Sequence, residues 1–185
     1  MLEELVSDAE DRMKKSIANL RLELSKLRTG RASTALLDQI RVDYYGTSSP
    51  LNQVSTVTVS DPRTISISPW DKSMIPVIEK AIMESDLGLN PMSASETIRV
   101  PIPSLTEERR IEITKIAKSE GENCKVAIRN IRRSCNSDLK EWLKEKEITE
   151  DDDRLGQTQV QTLTDRFVAS VDDIVAEKEK EIMTV

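Results

Sequence analysis

One long stretch of the chain, residues 106–147, contains no proline and separates apolar from basic side chains when it is drawn as a helix. On a helical wheel at about 100° per residue, the apolar side chains cluster within roughly 60°. They are Ile113, Ala117, Cys124, Ile128, Cys135 and Trp142. The basic side chains occupy another sector, at roughly 100–200° from Ile131. They are Lys115, Lys118, Lys125, Arg129, Arg132, Arg133 and Lys140. A helix of about 60 Å is not stable by propensity alone and must pack on other elements. The basic face is then left for another role.

The sequence predicts two further amphipathic helices, one at the start of the chain and one directly after this stretch. Residues 2–28 have apolar side chains at intervals of three and four, and Gly30 is a plausible helix stop. Residues 149–183 show the same spacing, and Thr149 followed by acidic residues predicts a capped helix start rather than a metal loop.

The region between the first two helices has a different composition, because all 7 prolines lie between Pro50 and Pro103. Short β-type runs occupy residues 39–45, 54–59, 64–68 and 97–102, with a helix predicted over residues 72–85. The predicted fold is therefore α+β. An elongated three-helix bundle comes from residues 1–30 and 105–185, and a small β/α/β domain, residues 31–104, is inserted into it. The two crossings, at Gly30-Arg31 and Pro103-Ser104, predict a hinge.

Composition excludes several classes of function. The absence of histidine removes Ser-His and Cys-His nucleophilic pairs, and no nucleotide-binding, cofactor or metal motif is present, which predicts a non-enzymatic protein without cofactors or metal. The residues 1–30 contain no long apolar run, and the two cysteines are too far apart on one helix to pair. We therefore expect a cytoplasmic protein that does not enter membranes.

The basic face has two readings. Residues 125–133 carry four positive charges and no acidic residue, which favours phosphate binding by clustered guanidinium groups. The alternative is a solvated face, or a helical adaptor whose amphipathic surfaces pair with a protein partner. A net charge of -6 means that any polyanion must be bound by a local patch. From the residues alone, phosphate binding and the solvated face are equally supported.

Several blocks carry a resemblance to a known family. They are LRTGRAS (27–33), VDYYGT (42–47), SDLGLNP (85–91), PIPSLTEERR (101–110), VAIRNIRR (126–133) and KEKEITEDD (144–152). Together they resemble the bacterial ribosome recycling factors along essentially the whole chain. The resemblance implies an L-shaped monomer, similar in outline to a transfer RNA. It implies binding to the post-termination 70S ribosome and separation of the subunits with elongation factor G and GTP, so that messenger and transfer RNA leave.

The resemblance also implies which residues bind. The bundle would contact large-subunit ribosomal RNA, and the inserted domain would face elongation factor G. The implied ribosomal RNA contacts are Arg28, Arg31, Arg110, Lys125, Arg129, Arg132 and Arg133. Thr34, Gly121, Ser134 and Gly156 depart from the usual family pattern, and both glycines fall inside predicted helices, where glycine costs about 1 kcal/mol.

Overall fold

A computed structural model describes residues 1–184. They form two compact units. One is made of Met1–Arg28 and Glu107–Thr184, and the other of Thr29–Thr106. The α-helices are α1 (Leu2–Ser25), α2 (Ile75–Met83), α3 (Glu107–Lys144) and α4 (Glu150–Thr184). The strands are β1 (Arg41–Tyr44), β2 (Thr47–Pro50), β3 (Ser55–Asp61), β4 (Thr64–Pro69), β5 (Met92–Ala94) and β6 (Thr97–Pro101). Helical first and last segments thus enclose a small mixed β region, which confirms the predicted α+β fold class.

The helical unit is built from α1, α3 and α4, which pack on one another along their apolar stripes. Its core includes Ala9, Met13 and Leu20 of α1, Ile113, Cys124, Ile128 and Leu139 of α3, and Val160, Phe167, Val171 and Ile182 of α4. Helix α1 ends at Ser25, earlier than the predicted end at Arg28. Its last turn is closed by the Lys26 N–H, which donates to the Glu23 carbonyl oxygen, and by the Leu27 N–H, which donates to that of Leu24. No helix within residues 1–184 is both long and apolar enough to cross a membrane.

Two glycines inside the long helices mark places where neighbouring helices approach closely. A Cβ built on Gly121 of α3 would lie 2.6 Å from Cγ2 of Val175 in α4. A Cβ built on Gly156 of α4 would lie 2.9 Å from Cδ2 of Leu139 in α3 and 3.1 Å from Cδ2 of Leu2 in α1. Both glycines are buried. The low helix propensity of glycine is therefore compensated by closer packing, and neither position breaks its helix.

The inserted unit contains a four-stranded antiparallel sheet in the order β3-β4-β6-β5 and a separate β1-β2 hairpin. The hairpin turns at Tyr45 and Gly46, which both have positive φ, as a two-residue type I′ turn requires. The sheet, the hairpin and α2 enclose one apolar core: Leu37, Ile40, Val42, Leu51, Val54, Ile65, Ile67, Met74, Ile78, Ile82, Leu89, Ile98 and Val100. This core is distinct from that of the helical unit.

The four predicted β-type runs correspond to β1, β3, β4 and β6, whereas β2 and β5 are not among the predicted strands. Strand β2 reads TSSP and has no apolar alternation, and strand β5 is exposed throughout. The predicted helix over residues 72–85 is a 3₁₀ turn, Lys72–Met74, followed by α2. Asp71 caps that turn by accepting from the backbone N–H of Ser73.

Because Gly121 permits the close approach of α3 and α4, we expect Gly121→Ala to lower the free energy of unfolding by about 1 kcal/mol. Overpacking costs about 1–3 kcal/mol, and the better helix propensity of alanine returns about 1 kcal/mol. Ser119→Ala, on the exposed side of the same helix, serves as control and should be neutral or slightly stabilising. Urea denaturation measures both.

The Val175→Ala background should reverse the sign of the effect, because the obstructing Cγ2 is then absent. There, Gly121→Ala should stabilise the protein. A Gly121→Ala variant that is stabilised equally in both backgrounds would contradict the close-packing explanation.

Candidate nucleic-acid interface

The basic residues of α3 separate into two rows. The inner row, Lys118, Lys125 and Arg132, bonds across to α4. The outer row, Lys115, Arg129, Arg133 and Lys140, is exposed. Within residues 1–184, no acidic group lies at ion-pair distance from any member of the outer row. Neighbours four residues apart on a helix, such as Arg129 and Arg133, have Cβ atoms about 6 Å apart, so both can contact one nucleic-acid backbone.

The inner row forms a ladder of polar contacts between antiparallel helices. Lys118 Nζ lies 3.7 Å from Glu179 Oε1, and Lys125 Nζ lies 2.5 Å from Asp172 Oδ1. The lysines are seven residues apart and so are their partners, in the opposite direction, which keeps each pair on the α3–α4 seam. Two of the three inner cations are therefore balanced by acids of α4.

Lys125 corrects the expectation that residues 125–133 have no acid to pair with. Besides Asp172, its ammonium contacts Glu122 Oε1 at 3.2 Å, one turn earlier on the same helix. Its side chain is only 15% exposed. The hydrogen bond to Asp172 is the main reason why the pKa of Lys125 is raised, and Glu122 adds to it. Lys125 is thus a structural cation, and its charge is largely cancelled by its two partners.

Arg132 makes a different contact. Its Nη1 donates to Oε1 of Gln161 at 2.9 Å, and Nε2 of Gln161 donates to Oδ1 of Asp165 at 2.8 Å. The guanidinium is half-buried and is held by a neutral acceptor. Arg132 therefore keeps its positive charge while its position is restricted, and it lies next to Arg133 and one turn from Arg129 in the outer row.

The remaining predicted contacts lie elsewhere in the chain. Arg110 Nη1 donates to the Met183 carbonyl oxygen at 3.2 Å, which satisfies a C-terminal carbonyl of α4. It is about 28 Å along α3 from Arg129. Arg28 is exposed at the end of the first segment of the helical unit, whereas Arg31 is exposed in the inserted unit. Of the predicted set, the structure brings together Lys125, Arg129, Arg132 and Arg133.

The predicted hinge residues all belong to the inserted unit. Gly30 is buried with φ of 77°, and a Cβ there would lie 3.2 Å from Cγ of Leu105. The two connecting segments therefore touch each other at this point. Pro103 and Ser104 are exposed. The unit boundaries fall at Arg28 and Glu107, slightly outside the predicted crossings.

Other candidate groups have structural roles. Burial raises the pKa of the Cys124 and Cys135 thiols, and both cysteines are free and buried, as expected for core residues. Thr149 caps α4 together with Asp152: the Asp152 N–H donates to Thr149 Oγ1, and the Thr149 hydroxyl and N–H donate to Asp152 Oδ2. These hydrogen bonds lower the pKa of Asp152. The capping reading of this segment is confirmed.

The predicted set lacks the residues of α4 that contact Arg132 and Lys125, directly or through Gln161: Gln161, Asp165 and Asp172. A signal existed in the sequence, because Lys118, Lys125 and Arg132 are spaced by seven residues, as are Asp165, Asp172 and Glu179. The matching spacings indicate two facing stripes, but the register between them is visible only once the helices are placed.

The ladder predicts that Asp172→Asn lowers the free energy of unfolding at pH 7 by about 0.5 kcal/mol, as is typical of a partly exposed ion pair. Asp173→Asn removes the same charge from the next residue, which forms no ion pair with residues 1–184, and should have a smaller effect. Thermal or urea denaturation of the two variants measures the difference.

The pH dependence follows from the raised pKa of Lys125. A group whose pKa is raised by folding stabilises the protein below its unfolded-state pKa, about 10.4 for lysine, and ceases to do so as pH rises through the folded value. The difference between Asp172→Asn and Asp173→Asn should therefore vanish at high pH. A difference that is constant from pH 7 to about pH 11.5 would contradict the ion-pair account.

Comparison with known proteins gives matches to one family along the chain. The profile described as "Ribosome recycling factor" matches residues 20–183. The ribosome-recycling factor of Ralstonia pickettii (strain 12J) is 57% identical over 178 residues, which cover 96% of each chain. That of Legionella pneumophila (strain Corby) is 55% identical over 185 residues, 100% of both chains.

Two solved structures show the same similarity. The solution structure of a ribosome recycling factor is 40% identical, with a TM-score of 0.73, and the match covers 100% of this chain and 98% of that one. A second structure contains T. thermophilus ribosome recycling factor and E. coli elongation factor G bound to the E. coli post-termination complex. Its recycling factor is 43% identical, with a TM-score of 0.62 and 98% coverage of both chains. On this evidence of sequence, fold and length together, the chain belongs to the ribosome recycling factor family.

Proposed function

We propose that this chain binds the post-termination ribosome in the cytoplasm and, with elongation factor G and GTP, separates it into subunits. Messenger RNA and transfer RNA are then released. The observation that carries the proposal is the 57% identity over 96% of the chain to a ribosome-recycling factor, together with the solved complex of a relative on the post-termination ribosome with elongation factor G. The chain acts by binding and is not an enzyme, because elongation factor G supplies the GTP hydrolysis.

The helical unit binds large-subunit ribosomal RNA through α3. The proposal is supported by the charges of the outer row, which no acid balances within residues 1–184, and by Arg132, whose partner is neutral. Such cations displace the counterions of a phosphate backbone, and this displacement is the main source of affinity for nucleic acid. Arg129, Arg132 and Arg133 form the centre of the interface. Arg110 and Lys125 are engaged within the helical unit, whereas Arg28 and Arg31 are exposed and stay proposed contacts of ribosomal RNA.

The inserted unit faces elongation factor G. Motion of that factor moves the inserted unit about the segments that contain Gly30, Arg31, Pro103 and Ser104, and the helical unit is pushed against a contact between the ribosomal subunits. The proposal is supported by the separate apolar cores of the two units, since each can then move without losing its own packing.

Ribosome binding tests the proposed interface. Arg129→Ala and Arg132→Ala should each weaken binding to purified vacant 70S ribosomes and make the salt dependence shallower by about one unit of slope. Arg21→Ala is the matched control, because Arg21 is exposed on α1 in a shallow groove with Asp173 and Glu177. It should bind like the wild type. Circular dichroism confirms that all variants remain helical.

The same experiment distinguishes the alternative of a helical adaptor that binds a protein partner. That alternative requires weak salt dependence and equal binding by all variants. Failure of the folded wild-type protein to bind ribosomes at low salt, or failure to split them with elongation factor G and GTP, would contradict the proposed function.

A further inference from the structure

Gln161 occupies a distinct position in the ladder between α3 and α4. The two lysines of the inner row are paired with carboxylates, Glu179 and Asp172. The next acid at the same spacing along α4 is Asp165, but Arg132 does not form an ion pair with it. The neutral side chain of Gln161 is interposed, one turn away on α4. Its carbonyl oxygen accepts from Arg132 Nη1 at 2.9 Å, and its amide donates to Asp165 Oδ1 at 2.8 Å.

In this arrangement Gln161 orients the Arg132 guanidinium without neutralising its positive charge. The hydrogen bond to Gln161 restricts the rotation of the Arg132 side chain before binding. Less conformational entropy is then lost when the guanidinium binds a phosphate. Because the acceptor is an amide, no negative charge lies at ion-pair distance from Arg132 within residues 1–184. The Oδ1 atom of Asp165 accepts instead from the Gln161 amide. A guanidinium carries five N–H donors, and one is used here, so a bidentate edge remains for phosphate.

We propose that Gln161 is a positioning residue for the contact between Arg132 and a ribosomal RNA phosphate, an inference that rests on the proposed function. Gln161 holds the Arg132 side chain against α4 in the orientation used for binding and keeps Asp165 from pairing with it. A glutamate at this position would make the same hydrogen bond to Arg132 but would cancel its charge, as Asp172 does for Lys125.

A structural role alone would give a different result. If Gln161 served only to join α3 to α4, Gln161→Met would leave the ribosome binding of the folded protein unchanged, whereas Gln161→Glu would weaken binding under either role because its carboxylate cancels the charge of Arg132. The new repulsion from Asp165, four residues along the helix, opposes the gain from Arg132, so the thermal midpoint should stay close to that of the wild type. The readout that separates the two roles is therefore the ribosome binding of Gln161→Met, and Gln161→Glu measures how much the charge of Arg132 contributes.

The experiment compares six proteins in binding to vacant 70S ribosomes across a salt series: the wild type, Gln161→Met, Gln161→Glu, Gln159→Glu, Arg132→Ala and the double variant Gln161→Glu with Arg132→Ala. Gln159 is exposed on another side of α4, so its substitution adds the same charge without touching Arg132. We expect Gln161→Glu to bind about tenfold more weakly, because a charge-assisted hydrogen bond to phosphate is weakened. Its salt dependence should be shallower by about one unit.

Gln159→Glu should bind like the wild type, and the double variant should bind like Arg132→Ala alone, because Gln161 acts through Arg132. Gln161→Met decides between the two roles, because it keeps the length of the side chain and removes the acceptor without adding a charge. Gln161→Met should bind about threefold more weakly than the wild type, the effect of one neutral hydrogen bond.

Two results would overturn the inference, and they are distinguishable. If Arg132→Ala weakens binding but Gln161→Glu binds like Gln159→Glu, or Gln161→Met binds like the wild type, the positioning role fails and the interface stands. If Arg132→Ala binds like the wild type, the interface itself is wrong at this residue, and the role of Gln161 is overturned with it.

Discussion

The close antiparallel contact between α3 and α4 is the constraint on which the rest of the helical unit depends. Gly121 and Gly156 permit it, because a Cβ at either position would meet a side chain of the neighbouring helix at 2.6 Å or 2.9 Å. With the register fixed in this way, Lys118 and Lys125 lie opposite Glu179 and Asp172. The same register turns Arg129 and Arg133 outward, where no acid within residues 1–184 neutralises them. Packing at two glycines therefore determines which cations remain available for binding.

The distribution of charge explains how an acidic chain can bind a polyanion. The net charge is -6, yet Asp152 of α4 is used in the N-terminal cap, and Asp172 and Glu179 are paired with lysines along the seam with α3. The outer row keeps a local positive potential, and nucleic acids respond to the local patch rather than to the total. The chain contains no histidine, the side chain whose charge ordinarily changes between pH 5 and pH 8. Salt is the variable that controls its affinity.

The sequence was sufficient to predict the helices and four of the strands, because their periodicity is local. It did not reveal β2, because the TSSP segment has no apolar alternation and forms a strand only by pairing with β1 in the hairpin. Gly121 and Gly156 looked like defects because their neighbours are distant in sequence. For the same reason the sequence does not predict the ion pair of Lys125 with Asp172, which lies on another helix and comes to 2.5 Å only in the packed structure. The ion pair of Lys125 with Glu122 is local, since the two residues are three apart on α3. Local patterns predict elements, whereas the division between structural and binding charges requires the register between elements.

The most direct test of this account is a cryo-electron microscopy structure of the chain on the 70S ribosome. The account predicts ribosomal RNA phosphates within hydrogen-bond distance of Arg129, Arg132 and Arg133, with Arg132 still bonded to Gln161 and Lys125 still paired with Asp172. Ribosomal RNA bound to a face of the helical unit that lacks the outer row, or Lys125 released from Asp172 to contact phosphate, would contradict the division of charges proposed for α3.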